Sequence, residues 1–569
     1  MRYTSTKTSI ARFLVGASVA FAYVGASYAA APGITGGSST SFELIATPAF
    51  ITQPDGMSVY SWGYGCRGAP AGFLPAAIGS AVTTCPSMQI PGPTLIVNQG
   101  ATVTVSLFNN LPAAAGNTSI LFPGFNVTAS VPTSLGARNP AGCPATPVVG
   151  TLTSEATHNC AIAYTFVATT EGTHSYYSGT QGDLQVEMGL YGAIIVLPAT
   201  APNNCTTLGF VPAHYVAPGN TAEADFRLAS SAYSHSATCY DREYLFQFSE
   251  MDQRIHRQVE EQVANDKNFC TKVTGCLVVD TEPYHPSYFM INGRSMPDDM
   301  DSNYATFYPH QPYNGNPHMH PGELTLLRII GQGRWQHPFH EHGNHVRVLA
   351  RDGNLLLAPN KVNVTTCTTA TLPVCTTVPE PEFRLAGPLL FTTTTTPGQA
   401  MDGIFQWTGK GLNWDVYAHG QVGDASACNP DANGYYTGVG GTSGQLTAAQ
   451  TAPNYYEWCA DHGKPLEKNP FGQVGQGGPV TLPDPNILVN GNWYSGSAYL
   501  GPDAAGRSVG PTPIPPSGTI ANNSRTEAGF AYMWHSHNER EITTGNIFPG
   551  GMLMMMLVDP RAFQIDESN

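Results

Sequence analysis

Short runs rich in Val, Ile, Thr and Tyr, each closed by Gly, Pro or Asn, recur along the chain, and this pattern leaves few folds open. They include TLIVNQGATVTVSLFNNLP (94–112), AIAYTFVATTEGTHSYYS (161–178), LYGAIIVLP (190–198), ELTLLRIIG (323–331), NHVRVLARDG (344–353) and GGMLMMMLVD (550–559). β-Branched and aromatic side chains suit a pleated, half-buried surface, and several runs alternate with period two, so they read as strands. Evenly spaced short strands imply an all-β chain of sandwiches or barrels. One stretch differs: MDQRIHRQVEEQVANDK (251–267) is charged and helical in pattern, and is expected to be a surface insertion.

Composition supports a folded, turn-rich protein. Charged residues are only 11% of the 569, Gly (60) and Pro (46) are abundant, and aromatics reach 10%, enough apolar mass to pack and too much for disorder. The length suits two to four domains. We expect a first unit over 40–200, a connector over 201–239, and a second unit over 240–560. A Gly-, Asn- and Pro-rich loop insertion at about 410–525 interrupts the second. The net charge of −15 repels polyanions, and no basic stripe is present, so nucleic acid is not an expected partner.

The N-terminus reads as an export signal over residues 1–30. Arg2, Lys7 and Arg12 precede an apolar run at 13–24, and Ala26, Ser27, Ala29, Ala30 and Ala31 supply the small residues of a cleavage site. No later segment is apolar enough to span a bilayer, so no transmembrane anchor is expected after signal removal. The expected location is periplasmic or extracellular. The 12 cysteines agree with an oxidising compartment. They fall into close pairs: Cys66 and Cys85, Cys143 and Cys160, Cys205 and Cys239, Cys270 and Cys276, Cys367 and Cys375, Cys428 and Cys459. Neighbour pairing gives six local disulfides, although sequence order alone does not fix connectivity. No C-x-x-C occurs, against a zinc ribbon or a thioredoxin-like centre.

Two segments carry metal chemistry: WQHPFHEHGNH (335–345) and WHSHNERE (534–541). Residues two apart on a strand share a face, so His340 pairs with His342 and His535 with His537, while Glu341 and Ser536 point the other way. If the strands are neighbours, four imidazoles converge, a donor set suited to copper or zinc. His345 reads as a second-shell or core residue. His318-Met319-His320 precedes Pro321-Gly322-Glu323 and is expected in an exposed turn. Met552, Met554 and Met556 share a face and read as core. No Gly-rich phosphate loop or nucleophile elbow is present.

HPFHEHGNH resembles the HPxHLHGH segment of multicopper oxidases, and WHSHNERE resembles their WHCHIxxH segment. IPGPTLIVNQGATVTVSLFNNLP (90–112) is similar to their opening strand pair, and GLYGAIIVLP (189–198) to the strand that ends their first domain. The resemblance implies tandem cupredoxin-like Greek-key β-barrels with long loop insertions, and copper as cofactor. It places His337 at the first type 1 histidine, Ser536 at the type 1 cysteine and Glu541 at the second type 1 histidine. His337, Glu541 and His345 are thereby left as secondary metal or second-shell residues. The first-unit His-x-His positions align with 121–124 and with Tyr177-Ser178-Gly179, where histidine is missing and Tyr176 and Tyr177 fill the space. The remaining ligand set is His340, His342, His535 and His537.

The implied function is an exported copper-binding protein. It would be an oxidoreductase with a reduced copper set acting on a small molecule or metal ion, or else a non-catalytic copper-handling or structural protein on the same scaffold. With Ser536 in place of the thiolate, the copper-loaded protein should show no intense blue absorption band. An intense band in its visible spectrum would overturn the alignment.

Overall fold

The structure, a computed structural model, describes residues 31–559 and 565, except 76–84, 133–139, 141, 203–204, 206–225, 265–273, 359–362, 368–374, 380–384, 410–495 and 501–527. The export segment, Cys270, Cys428, Cys459 and most of the insertion at 410–525 thus lie outside the described residues.

Two pairs of facing sheets make the described fold all-β. In the first pair, one sheet runs in the order Gly172–Tyr177, Tyr191–Leu197, Gly92–Asn98, Gly33–Thr35, Gly72–Leu74. Its partner runs Ser58–Cys66, Ser41–Thr52, Thr102–Asn109, Ala161–Val167, Thr128–Ser130. The period-two reading of 102–109 is realised directly. Val103, Val105 and Leu107 are buried between the sheets, while Thr104, Ser106 and Phe108 on the other face are half-buried. Each such buried aliphatic side chain contributes about 1.5–3 kcal/mol.

In the second pair, one sheet runs Tyr288–Ile291, Arg242–Met251, Leu324–Gly331, Ala400–Gln406, Val346–Arg351, Asn354–Leu355. The facing sheet runs His318–Met319, Leu553–Val558, Ala528–Ser536, His337–Glu341, Thr392–Thr395, with Gly496–Leu500 paired to Ala528–Ser536. Phe246, Phe248, Phe339, Trp534, Met552, Met554 and Met556 fill the space between. The methionines are therefore core residues.

Disulfides join Cys66 to Cys85, Cys143 to Cys160 and Cys205 to Cys239. Cys276 is also bonded. The backbones of Cys367 and Cys375 lie opposite each other in the hairpin Asn363–Cys367 with Cys375–Pro379.

Two expectations need correction. The helix forms at Gln253–Ala264, but it is more than a surface insertion. Ile255 and Val259 are fully buried in the first sheet pair's core, because the charged sequence still places an apolar row at i and i+4. His318 and His320 do not lie in an exposed turn either. Both are fully buried, since the short strand His318–Met319 pairs with Leu553–Val558. His318 Nδ1 lies 2.7 Å from Asp559 Oδ2, and His320 Nδ1 lies 3.0 Å from the Asp559 carbonyl.

A buried polar network ties the two sheet pairs together. Asp402 accepts from the Thr173 amide (3.1 Å), the Thr173 hydroxyl (2.6 Å) and the Tyr233 hydroxyl (2.5 Å). Arg328 donates to Glu243 (2.9 Å) and to the Thr173 hydroxyl (3.1 Å). Gly172, at φ 96°, lets the first sheet approach, since a Cβ there would meet the Tyr233 hydroxyl. Asp402→Ala strands three buried donors and removes one of the two carboxylates beside the Arg328 guanidinium, which lies 3.8 Å from Asp402, so it should cost about 3–5 kcal/mol in a urea unfolding experiment. A loss under about 1 kcal/mol would show that this network is not a main tie.

Candidate metal centre

The strands His337–Glu341 and Ala528–Ser536 pair antiparallel, with His340 directly opposite His535. That register brings all four histidines of the two His-x-His motifs together. His340 lies 4.8 Å from His342, 5.5 Å from His535 and 4.7 Å from His537, measured between ring centroids. His342 and His535 are 5.1 Å apart, and His535 and His537 are 5.8 Å apart. The rings meet mostly edge to face. Among the described residues, no three His, Cys, Asp or Glu side chains are already closed into a metal cage.

The donor atoms nevertheless suit a metal. His340 Nδ1 is 2.6 Å from the Thr392 hydroxyl, and His535 Nδ1 donates to the Ser536 carbonyl at 2.6 Å. Anchoring Nδ1 in this way presents Nε2 as the ligand. His535 Nε2 lies 3.2 Å from His342 Nε2. Two nitrogens each about 2.0 Å from a tetrahedral metal sit about 3.3 Å apart, so these two are already at ligand spacing. Burial, then the neighbouring His535 and His537, push His340 down to about 4, and burial lowers His535 as well. Both rings are therefore neutral at pH 7, as metal ligation requires.

Glu341 faces the opposite side, as the strand rule demands. It is fully buried, and burial raises its carboxyl to about 8, so it is protonated at neutral pH and supplies no charge to the four rings. His345 stands one ring further out, 5.0 Å from Phe391, which is 5.6 Å from His340.

His337, Ser536 and Glu541 also converge. His337 Nδ1 lies 2.9 Å from Glu541 Oε2, and the Ser536 hydroxyl donates to that same oxygen. The other ring nitrogen, Nε2, lies 2.8 Å from Glu250 Oε2. Burial alone would lower the His337 pKa, but the hydrogen bonds and charges of Glu250 and Glu541 outweigh it and raise the imidazole to about 9. A buried imidazolium between two carboxylates thus fills the position that the resemblance assigns to type 1 copper, with both nitrogens occupied. Glu250 was not singled out from the sequence. It closes the strand run DREYLFQFSE (241–250), and nothing local marks its partner 87 residues away. Thr392, which orients His340, was missed for the same reason.

The segments aligned with the absent first-unit histidines also meet. Leu121 and Tyr177 exchange backbone hydrogen bonds at 2.7 and 3.3 Å. Tyr176 is fully buried and donates to the Pro93 carbonyl at 2.7 Å, a core role.

Residues 79–201 match the family model described as multicopper oxidase. The match is to a multicopper oxidase model and covers that segment alone. No curated protein matches it. Among solved structures, it is similar to the multicopper oxidase mgLAC, at 13% identity and a TM-score of 0.39, covering 91% of this chain and 85% of that one. The same figures describe its likeness to a blue copper oxidase from Nitrosomonas europaea. A copper nitrite reductase from Nitrosomonas europaea is 14% identical, with a TM-score of 0.33, over 64% of this chain and 84% of that one. The matched multicopper oxidase segment lies in the first sheet pair, whereas the four histidines belong to the second.

The His337 triad gives stability a definite pH dependence. A folded-state pKa near 9 against about 6.5 unfolded contributes about 3 kcal/mol, fully present below pH 6.5 and lost as pH rises through 9. Glu187, raised by burial to about 8, acts in the same direction, because the unfolded chain releases its proton first. Urea unfolding of the metal-free protein should show a lower free energy at pH 9.5 than at pH 6, with a smaller difference in His337→Gln. An identical difference in that variant would mean that His337 is not held as the imidazolium.

Proposed function

We propose that this protein is an exported copper-binding protein whose one copper site is His340, His342, His535 and His537. The carrying observation is the strand register that sets His340 opposite His535 and gathers four rings within 5.8 Å of a neighbour. Four imidazoles suit copper. Thr392 and the Ser536 carbonyl orient two of them, and Trp534 Nε1 donates to the His342 carbonyl at 2.8 Å, fixing the backbone between the motifs. Copper bound there would supply one-electron redox chemistry. The protein's own groups would bind it, and all of them but His537, which is exposed at the open side, are buried. The reading is an oxidoreductase with a reduced copper set, acting on a small-molecule or metal-ion substrate.

A second reading, copper handling without catalysis, is favoured by the filled type 1 position. His337 has both nitrogens engaged and Ser536 brings no thiolate, so an external reductant finds no separate electron-entry metal. The domain division proposed with either reading is two cupredoxin-like units, 40–200 and 240–560. The connector is 201–239, the insertion 410–525 stands outside the second barrel, and residues 1–30 are removed on export. The disulfides and the lack of a helix long and apolar enough to cross a membrane among the described residues are compatible with that route.

Elemental analysis of copper-loaded protein should find one copper per chain. His342→Ala with His537→Ala should abolish it while leaving the circular dichroism of the β-sheets unchanged. Full copper content in that double variant would remove the site. Oxygen uptake with a phenol or iron(II) separates the readings: turnover supports the oxidoreductase, and its absence with copper bound supports copper handling.

A further inference from the structure

The His337 triad has a place in the fold that its charge alone does not explain. Its two ends lie on the two strands that carry the four histidines. His337 is on the strand of His340, three residues away. Ser536 stands between His535 and His537, and Glu541 closes the turn that follows. Both oxygens of the Glu541 carboxylate are engaged across this junction. Oε2 faces His337 Nδ1 at 2.9 Å and accepts the Ser536 hydroxyl. Oε1 accepts from Asn538 Nδ2 at 2.9 Å, next to His537. The Ser536 hydroxyl in turn accepts the Asn538 amide at 3.2 Å. Backbone bonds seal the same turn: Glu541 N to the Asn538 carbonyl (2.8 Å), Met552 N to the Glu541 carbonyl (2.8 Å) and Ser536 N to the Met552 carbonyl (2.9 Å).

Beyond His537 the strand pairing has ended, apart from the His537 amide bonded to the Pro338 carbonyl at 2.8 Å. At this end the carboxylate joins that backbone bond in positioning the second His-x-His motif against the first. The carboxylate is itself held by His337, and His337 by Glu250 on the opposite sheet, in the strand Arg242–Met251. The Glu250 carboxylate is fixed by the amides of Arg334 (2.6 Å) and Trp335 (2.9 Å) and faces the Tyr284 hydroxyl at 3.3 Å. All members are buried: His337 is 0% exposed, Glu541 1% and Glu250 2%. A charge-assisted line thus runs from the far sheet, through the imidazole, to the turn bearing two of the four rings.

We propose that Glu250, His337 and Glu541 are positioning residues for the four-histidine site, clamping the two ligand-bearing strands so that His535 and His537 face His340 and His342. This rests on the copper-site reading above. None of the three touches the metal position. They act through Ser536 and Asn538, in the way that carboxylates behind metal-bound histidines set ligand orientation. An ordinary structural ion triad would stabilise the sheets equally well wherever it lay, and its loss would leave the ring geometry of surviving folded protein unchanged.

Two measurements on the full chain separate these cases. The first is copper affinity by competition with a chromophoric chelator, together with the Cu(II) EPR spectrum. Glu541→Ala should weaken copper binding roughly 10- to 100-fold and change the EPR hyperfine pattern. Glu541→Gln, which keeps the shape but not the charge, should restore part of the affinity. Glu250→Gln, which touches neither the 535–541 turn nor any of the four rings, should shift both readouts in the same direction as Glu541→Ala. The second needs no metal: ring-nitrogen NMR shifts report the hydrogen bond between His342 Nε2 and His535 Nε2. Those shifts should move in Glu541→Ala and in Glu250→Gln. Unchanged ring shifts in either variant that folds overturn the clamp. So do unchanged affinity and EPR spectrum. If the wild-type chain takes up no copper, the copper-site reading fails, and the ring shifts still decide whether the clamp positions the histidines.

Discussion

The antiparallel pairing of His337–Glu341 with Ala528–Ser536 is the contact on which the candidate centre depends. Side chains alternate along a strand, so a slip of one residue would send the four histidines of the two motifs to the core and bring Glu341 and Ser536 to the metal side. The register is held from the core face. Phe339 and Trp534 sit in the aromatic and methionine core, with ring centroids 6.1 Å apart, and neither can turn outward without exposing a large apolar surface. Hydrophobic burial on one face of the sheet therefore fixes the chemistry on the other.

The same sheet shows how a histidine is held in a dry interior between two carboxylates. A buried histidine facing two carboxylates needs a proton to balance them, and the raised pKa of His337 shows that it keeps one. The proton and the Ser536 hydroxyl together satisfy groups that would otherwise be stranded in a dry interior. Such an arrangement is costly to break one partner at a time, because each single loss leaves a buried charge uncompensated.

A second polar network has a plainer role. Asp402, Arg328, Thr173 and Tyr233 come from four separate stretches of chain and meet where the two sheet pairs pack. The helix Gln253–Ala264 crosses the same boundary, following the first strand of the second sheet pair but burying Ile255 and Val259 in the first core. Packing between the two cores is thus specified by a few directional contacts as well as by apolar area.

By itself the sequence determined the all-β class, the period-two strands such as 102–109, the pairing of each His-x-His motif on one face, and the aim of Glu341 away from those rings. These follow from local rules, because a strand's geometry fixes the side of each residue whatever it pairs with. The motifs also carried the likeness from which the meeting of His337, Ser536 and Glu541 was expected. Only the tertiary structure decided that His318 and His320 are buried against Asp559 and that the charged helix contributes to a core. It alone showed that Glu250 completes the His337 triad and that Thr392 orients His340. Each of those facts joins residues tens to hundreds of positions apart. Sequence spacing carries no record of which strands become neighbours, because that choice is made by the burial of whole sheets and not by any one residue.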